Sequence, residues 1–302
     1  MVQLLALLFA FLCACTPEPE RSDRQSASPE IVARYLSASE RLQSDFLDRG
    51  WVVSRDGGLP ANVGDSLLWS GLALSALPCD QGDAIEANLI DMVTRHDGGL
   101  VRYEPLANPV SLDGAIGLWH GIAHRITCAG KAELWREPVR LHAEFLERSK
   151  GYLSNEAKDA QAPIFLYVPD LLHARLNGAA NPSSDLLGVL RPALALWAKA
   201  VVDNRASCYR VHLGLLMMET LAALGKDGNR ANFCVAAKGA GMPLVDHFCG
   251  QPEPLLTFIE DFEFNQWEFA LQRCAGWESP DSLGYETPGL DLIVAIKHAY
   301  QL

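Results

Sequence analysis

Two aspartates stand just ahead of a segment that the chain states twice. Asp65 precedes Trp69-Ser70-Gly71-Leu72-Ala73, and Asp113 precedes Trp119-His120-Gly121-Ile122-Ala123. A pair of carboxyls, one protonated and one ionised, is what glycoside hydrolysis requires: one releases the leaving oxygen, the other serves water or the anomeric carbon. Aspartate is equally a favoured helix N-cap, and capping is the competing account of both residues. Glu260, Asp261, Glu263 and Glu268 gather near Trp267 and read as a solvated acidic loop. Arg102-Tyr103 and Tyr209-Arg210-x-His212 could neutralise a uronate and supply the base of a lyase, or could simply cap and pack at helix starts. His120 and His124 share a helix face at a spacing that could chelate a metal. No glutamate follows His120 directly and no third ligand stands nearby in sequence, so packing is favoured and no metal is expected. A GxSxG elbow, a P-loop and a Gly-rich dinucleotide turn are all absent, and no cofactor is expected.

The elements that must position these groups are helical. Asp56-Gly57-Gly58-Leu59 returns as Asp97-Gly98-Gly99-Leu100, and cysteines follow the two tryptophans at Cys79 and Cys128. The period of about 50 residues suits one helical hairpin with its loops, and fixed periods signal repeat architectures. Pro29–Gly50 reads as a first helix. Asp65–Leu77 is apolar nearly all round and should be buried, whereas Asp83–His96 is amphipathic. Asp113–Thr127 and Pro138–Lys150 repeat that contrast, with Pro138 in a first turn where its missing N–H is not needed. Ala162–Leu176, Ser184–Val202, Tyr209–Leu224, Asn229–Ala240, Phe264–Cys274 and Gly289–Tyr300 complete the series. Strand-like alternation is nearly absent, so the fold class is all-α with about a dozen helices. Trp69 and Trp119 read as core residues.

The 302 residues carry a net charge of −12. That excludes a nucleic-acid partner, since no basic stripe exists to neutralise phosphates, and a polybasic contact with anionic lipid. Leu4 to Leu12 form a short apolar run too short to span a membrane, as in a secretory signal. Leu12-Cys13-Ala14-Cys15 resembles the bacterial lipobox, in which the last cysteine is lipidated. The expected organisation is a signal peptide over 1–15, acylation at Cys15, a Pro/Ser-rich tether over 16–28 and one domain over 29–302. The location implied is the cell envelope, anchored to a bacterial membrane by lipid. In that oxidising compartment an even number of remaining cysteines suggests disulfides. Cys79 with Cys128 is the pair expected from equivalent repeat ends. Cys249 with Cys274, flanking Trp267, is the second, and free buried thiols are the alternative.

Buried and amphipathic helices alternating at this period resemble the (α/α) toroid, the helical-hairpin barrel of six-hairpin glycosidases and related lyases. Phe264-Asn265-Gln266-Trp267-Glu268 also resembles a Gln-Trp-rich segment in uncharacterised proteins of this kind. The resemblance implies an inner ring of parallel helices inside an antiparallel outer ring, with a superhelical array that never closes as the alternative. It implies that inner-helix N-termini open on one end, bringing together Asp65, Arg102, Tyr103, Asp113, Tyr209, Arg210, His212, Gln266, Trp267, Tyr285 and Glu286. A carbohydrate ligand is then expected in the cleft. Three functions follow: a carbohydrate-active enzyme, most simply a hydrolase; a non-catalytic glycan- or peptidoglycan-binding lipoprotein; or an envelope scaffold.

Overall fold

Ser66–Ala76 is Leu- and Ala-rich with no β-branched residue, a composition that favours helix, and every one of its residues is buried. It is one of eleven α-helices among the described residues, which are 26–61, 63–106, 110–155, 167–178, 208–226, 230–238, 241–262, 286, 288–300 and 302 of a computed structural model. In chain order they are α1 (Pro29–Asp45), α2 (Ser66–Ala76), α3 (Asp83–Arg95), α4 (Leu112–Arg125), α5 (Lys131–Arg148) and α6 (Tyr167–Leu176). They continue with α7 (Cys208–Ala223), α8 (Arg230–Ala237), α9 (Pro243–Phe248), α10 (Glu253–Asp261) and α11 (Leu290–Tyr300). The molecule is predominantly helical, as expected. No helix among the described residues is long and apolar enough to cross a membrane.

Buried helices alternate with amphipathic ones. In α4 nearly every residue is buried, whereas α3 buries one stripe (Ile85, Glu86, Leu89, Met92, Val93) and α5 another (Trp135, Pro138, Val139, His142, Phe145, Leu146). The repeated glycines explain the pairing of α2 with α4. A Cβ added at Gly71 would lie 2.1 Å from the Gly117 carbonyl oxygen, and one at Gly121 would lie 2.4 Å from the Gly71 oxygen. Gly114 meets Leu67, Gly117 meets Leu68 and Gly121 meets Gly71, so contacts ascend together and the two helices run parallel. Only glycine permits such an approach of backbones.

The far ends of this pair are bound together. Cys79 and Cys128 form a disulfide between the loops that follow α2 and α4, as the repeat predicts. Beside it the fully buried Arg125 donates to the Pro78 and Gln81 carbonyls and to Glu86, while Lys131 and the Trp135 indole also reach Glu86.

Four details depart from the expectation. The first helix ends at Asp45, and Leu47–Asp48 pairs with Trp51–Val52 in a hairpin, followed by a second of Ser54–Asp56 with Leu59–Ala61. Strands this short leave no periodicity to read. Asp56-Gly57-Gly58-Leu59 is the turn of that second hairpin, whereas Asp97-Gly98-Gly99-Leu100 terminates α3, so the two copies are not structural equivalents. The counterpart of Asp97-Gly98 is Lys150-Gly151 after α5. Both pairs have positive φ, and Leu100 N–H donates to the Leu153 carbonyl at 2.8 Å. Pro138 lies inside α5 rather than at its start, because Lys131–Glu137 are good helix formers anchored by Trp135. Cys249 pairs with Cys234, not Cys274: it caps α9, and α8 and α9 lie in contact, bringing Cys234 within reach.

Candidate functional site

The parallel α2 and α4 begin at one end of the array, and each begins near an aspartate. Asp65 closes a 3₁₀ turn (Val63–Asp65) and holds the N-cap position of α2, half-buried and without a side-chain capping hydrogen bond. Capping by its carboxylate is therefore not its role there. In α4 the N-cap is Ser111, whose Oγ accepts from Gly114 N–H. Asp113 lies two residues inside, 9% exposed, with Oδ1 accepting from the same Gly114 N–H at 2.9 Å. The two aspartates thus share an end of the helix pair without occupying equivalent positions: Asp65 corresponds to Ser111.

Arg102 is at the same end. Its guanidinium lies 3.6 Å from where a Cβ at Gly64 would stand, and its Nε is buried with no hydrogen-bond partner among the described residues. Tyr103 is committed elsewhere. Its hydroxyl donates to the Asp48 carboxylate and its ring meets Trp51 edge-on at 6.1 Å. Burial and the Asp48 hydrogen bond push its pKa up to about 12, which disqualifies it as a ready base. Tyr209 and Arg210 fall in the first turn of α7, but their side chains, with Gln266, Trp267, Tyr285, Glu263, Glu268 and Cys15, lie outside the described residues. Glu286 is exposed and its backbone bridges Arg55.

His212 stands near the start of α7, two turns ahead of a buried polar cluster. Toward the other ends of α4, α7 and α11, the chain buries a polar cluster. His120 and His124 lie on one face of α4 with ring centroids 4.5 Å apart. Across from them on α7 is Glu219, 5% exposed, with Oε2 at 3.8 Å from His120 Nε2 and Oε1 at 3.4 Å from Nδ1 of His298 on α11. Thr220 Oγ1 lies 3.5 Å from His120 Nδ1. His212, two turns before Glu219, and His247 on α9 complete the group. Neither Glu219 oxygen has a hydrogen-bond partner among the described residues, and neither does His124 Nε2.

Burial sets the charge state. It pushes the Glu219 carboxyl up to about 8. Burial, then the neighbouring imidazoles, holds His120 well below the usual histidine range. His124 falls to about 4 and His298 to about 3, again chiefly by burial. The imidazoles are neutral at pH 7 and the acid retains its proton there. Among the described residues no three His, Cys, Asp or Glu side chains are arranged to hold a metal ion as they stand.

Two other buried groups show how this protein treats purely structural polar residues. Glu86 receives Arg125, Lys131 and Trp135. His142 is saturated, with Nδ1 on the Gly98 carbonyl at 2.6 Å and Nε2 accepting from Trp119 at 3.0 Å. The cavity beside that His142–Trp119 pair, about 10 Å³, has room for at most one water and is a packing gap.

Glu219, His247 and His298 were missed in the sequence, though one signal was available. Glu219 is the lone acid in the apolar run Val211–Ala223, and His212 precedes it by two helical turns on the same face. Comparison with protein-family models, with curated proteins and with solved structures finds no match to this chain.

Proposed function

We propose that this chain is a lipid-anchored carbohydrate-active protein of the bacterial cell envelope, most simply a glycoside hydrolase. Catalysis occurs where α2 and α4 begin, with Asp65 and Asp113 as the carboxyl pair. One observation carries the reading. The glycine-seamed pair α2/α4 is parallel, so two aspartates and a guanidinium with an unpartnered Nε, Arg102, meet at a single end. Helix N-termini add unpaired N–H groups and the positive end of the dipole, which suit the hydroxyls and ring oxygens of a sugar or the carboxylate of a uronate. Alternating buried and amphipathic helices support a closed (α/α) ring around such an end. The lipobox-like Leu12-Cys13-Ala14-Cys15 and the Pro/Ser-rich segment after it support the anchor.

The hydrolase is preferred to a lyase because two aspartates share the helix-start end, whereas Tyr103, one of the lyase's candidate bases beside Tyr209 and His212, is tied to Asp48. A glycan-array screen of the mature protein, followed by product analysis on each hit, tests the reading. New reducing ends without unsaturated products are expected. Binding with no cleavage would replace the enzyme by a glycan-binding lipoprotein, and no binding at all would overturn the carbohydrate reading.

A further inference from the structure

We infer that the glycan taken at the aspartate end carries a carboxylate on the sugar unit held there, a uronate, and that Arg102 is the residue that selects it. The inference rests on the carbohydrate reading above and narrows it from sugars in general to acidic ones.

The motive is a contrast among the arginines. Arg125, fully buried, donates to the Pro78 and Gln81 carbonyls and to Glu86. Among the half-buried ones, Arg34 donates to Ile259 O at 2.8 Å, and Arg55 to the carbonyls of Asp45, Leu47 and Gly58. Arg140 lies between Glu137 and Glu144, and Arg41 covers the Phe46 ring at 4.5 Å. Arg102 is half-buried too, yet its Nε is enclosed without an acceptor and it enters no ion pair among the described residues. Withdrawing a guanidinium from water without an acceptor costs free energy. A bound anion offsets that cost.

The acids nearest to it in sequence, or reached by its neighbour Tyr103, are engaged elsewhere. Glu104 takes Arg95 and His96, and Asp48 takes the Tyr103 hydroxyl. Asp113 Oδ1 accepts from Gly114 N–H. The Arg102 Nη1 comes within 3.6 Å of where a Cβ would stand at Gly64, the residue before Asp65. The charge is therefore placed at the turn that opens α2, beside the carboxyl pair, without serving as a counter-ion to it.

A carboxylate suits this group better than a hydroxyl does. Guanidinium is planar and permanently charged, and its paired N–H groups match two carboxylate oxygens at once. A neutral sugar hydroxyl accepts one such bond and leaves the charge uncompensated. The net charge of −12 sharpens the assignment. The field of the whole chain repels an acidic glycan, so a preference for one has to be local. Loss of the guanidinium then abolishes it.

The test compares polygalacturonate, alginate and hyaluronan, each with the same polymer after its carboxylates are reduced to primary alcohols. Reduction keeps the linkage and removes the charge. The readout is kcat/KM on the acid form over the reduced form, or the ratio of Kd values where there is binding without turnover. The parent should prefer the acid form of at least one polymer by about 30-fold or more, and Arg102→Gln should bring that ratio to about 1. If Arg102→Gln fails to fold by circular dichroism, Arg102→Lys decides in its place: it keeps a charge, loses the planar fork, and should lower the ratio. A parent that takes both forms equally, or neutral glycans alone, overturns this inference while the hydrolase reading stands. An undiminished preference in the folded variant overturns it as well. Unsaturated products that depend on Arg102 in the same way would keep the inference and replace the hydrolase by a lyase. No binding of any glycan, acidic or neutral, removes both.

Discussion

Gly71→Ala tests the packing on which the rest of the architecture depends. The added methyl would fall 2.1 Å from the Gly117 oxygen, 2.3 Å from its carbon and 2.7 Å from Leu118 N, where ordinary contact begins at 3.4 Å. All three atoms are backbone, so no side chain can rotate away and α4 as a whole must retreat by about 1 Å. A gap of 0.5–1 Å forfeits about a quarter to a half of each dispersion well along the seam. Overpacking of this kind destabilises by about 1–3 kcal/mol, occasionally more, and an unyielding backbone puts this site at or above the upper end. Alanine's better helix propensity returns about 1 kcal/mol. A net loss of about 2–4 kcal/mol corresponds to a fall in Tm of roughly 4–12 °C for a domain of this size. Thermal unfolding followed by circular dichroism measures it. Gly64→Ala, whose nearest neighbour is at 3.6 Å, should change little. A Gly71→Ala protein that melts with the parent would refute the glycine seam.

Three further outcomes are expected. The chain should be most stable near pH 6.5–7. Below pH 6.5 the unfolded state takes up protons that buried His124 (pKa about 4) and His298 (about 3) refuse, so stability falls on acidification. Between pH 4.5 and 8 the native state alone keeps the Glu219 proton (pKa about 8), so that contribution falls as pH rises, and Glu219→Gln should flatten the alkaline limb in urea midpoints at pH 6.5 and 8. His120 and His247, also depressed by burial, add to the acid limb; a midpoint that keeps rising to pH 8 contradicts the assignment. Removing the Cys79–Cys128 disulfide by double serine substitution should cost about 4 kcal/mol on the loop-entropy model for its separation of 49 residues, read as the shift in urea midpoint. Arg125→Met leaves the buried carbonyls of Pro78 and Gln81 without their donor, while Glu86 keeps Lys131 and Trp135, and should cost about 1–3 kcal/mol in the same assay.

Helix class was legible because α2 and α4 are apolar all round while α3 and α5 carry one apolar stripe, and burial follows that contrast residue by residue. The Trp-x-Gly-x-Ala repeat was legible as a repeat, and its glycines prove to be what joins the two helices. Asp-Gly-Gly-Leu misled because one string serves two turn geometries: a hairpin at Gly57-Gly58 and a helix end at Gly98. The two-residue strands were invisible for want of any period. At the candidate site, Asp65, Asp113 and Arg102 could be brought to one end by the repeat alone. The histidine–glutamate cluster could not, because its members are scattered over α4, α7, α9 and α11, and only tertiary packing unites them.

The central claim is that Asp65 and Asp113 do chemistry rather than hold their helices. Asparagine at either position keeps size and hydrogen-bonding capacity and removes the acid. On a glycan that the parent cleaves, Asp65→Asn and Asp113→Asn should each lower kcat by two or more orders of magnitude, about 3 kcal/mol or more in the barrier, while Tm stays within about 2 °C. Equal turnover by parent and variants, or a large fall in Tm with kcat intact, would make the two aspartates structural and remove the hydrolase reading.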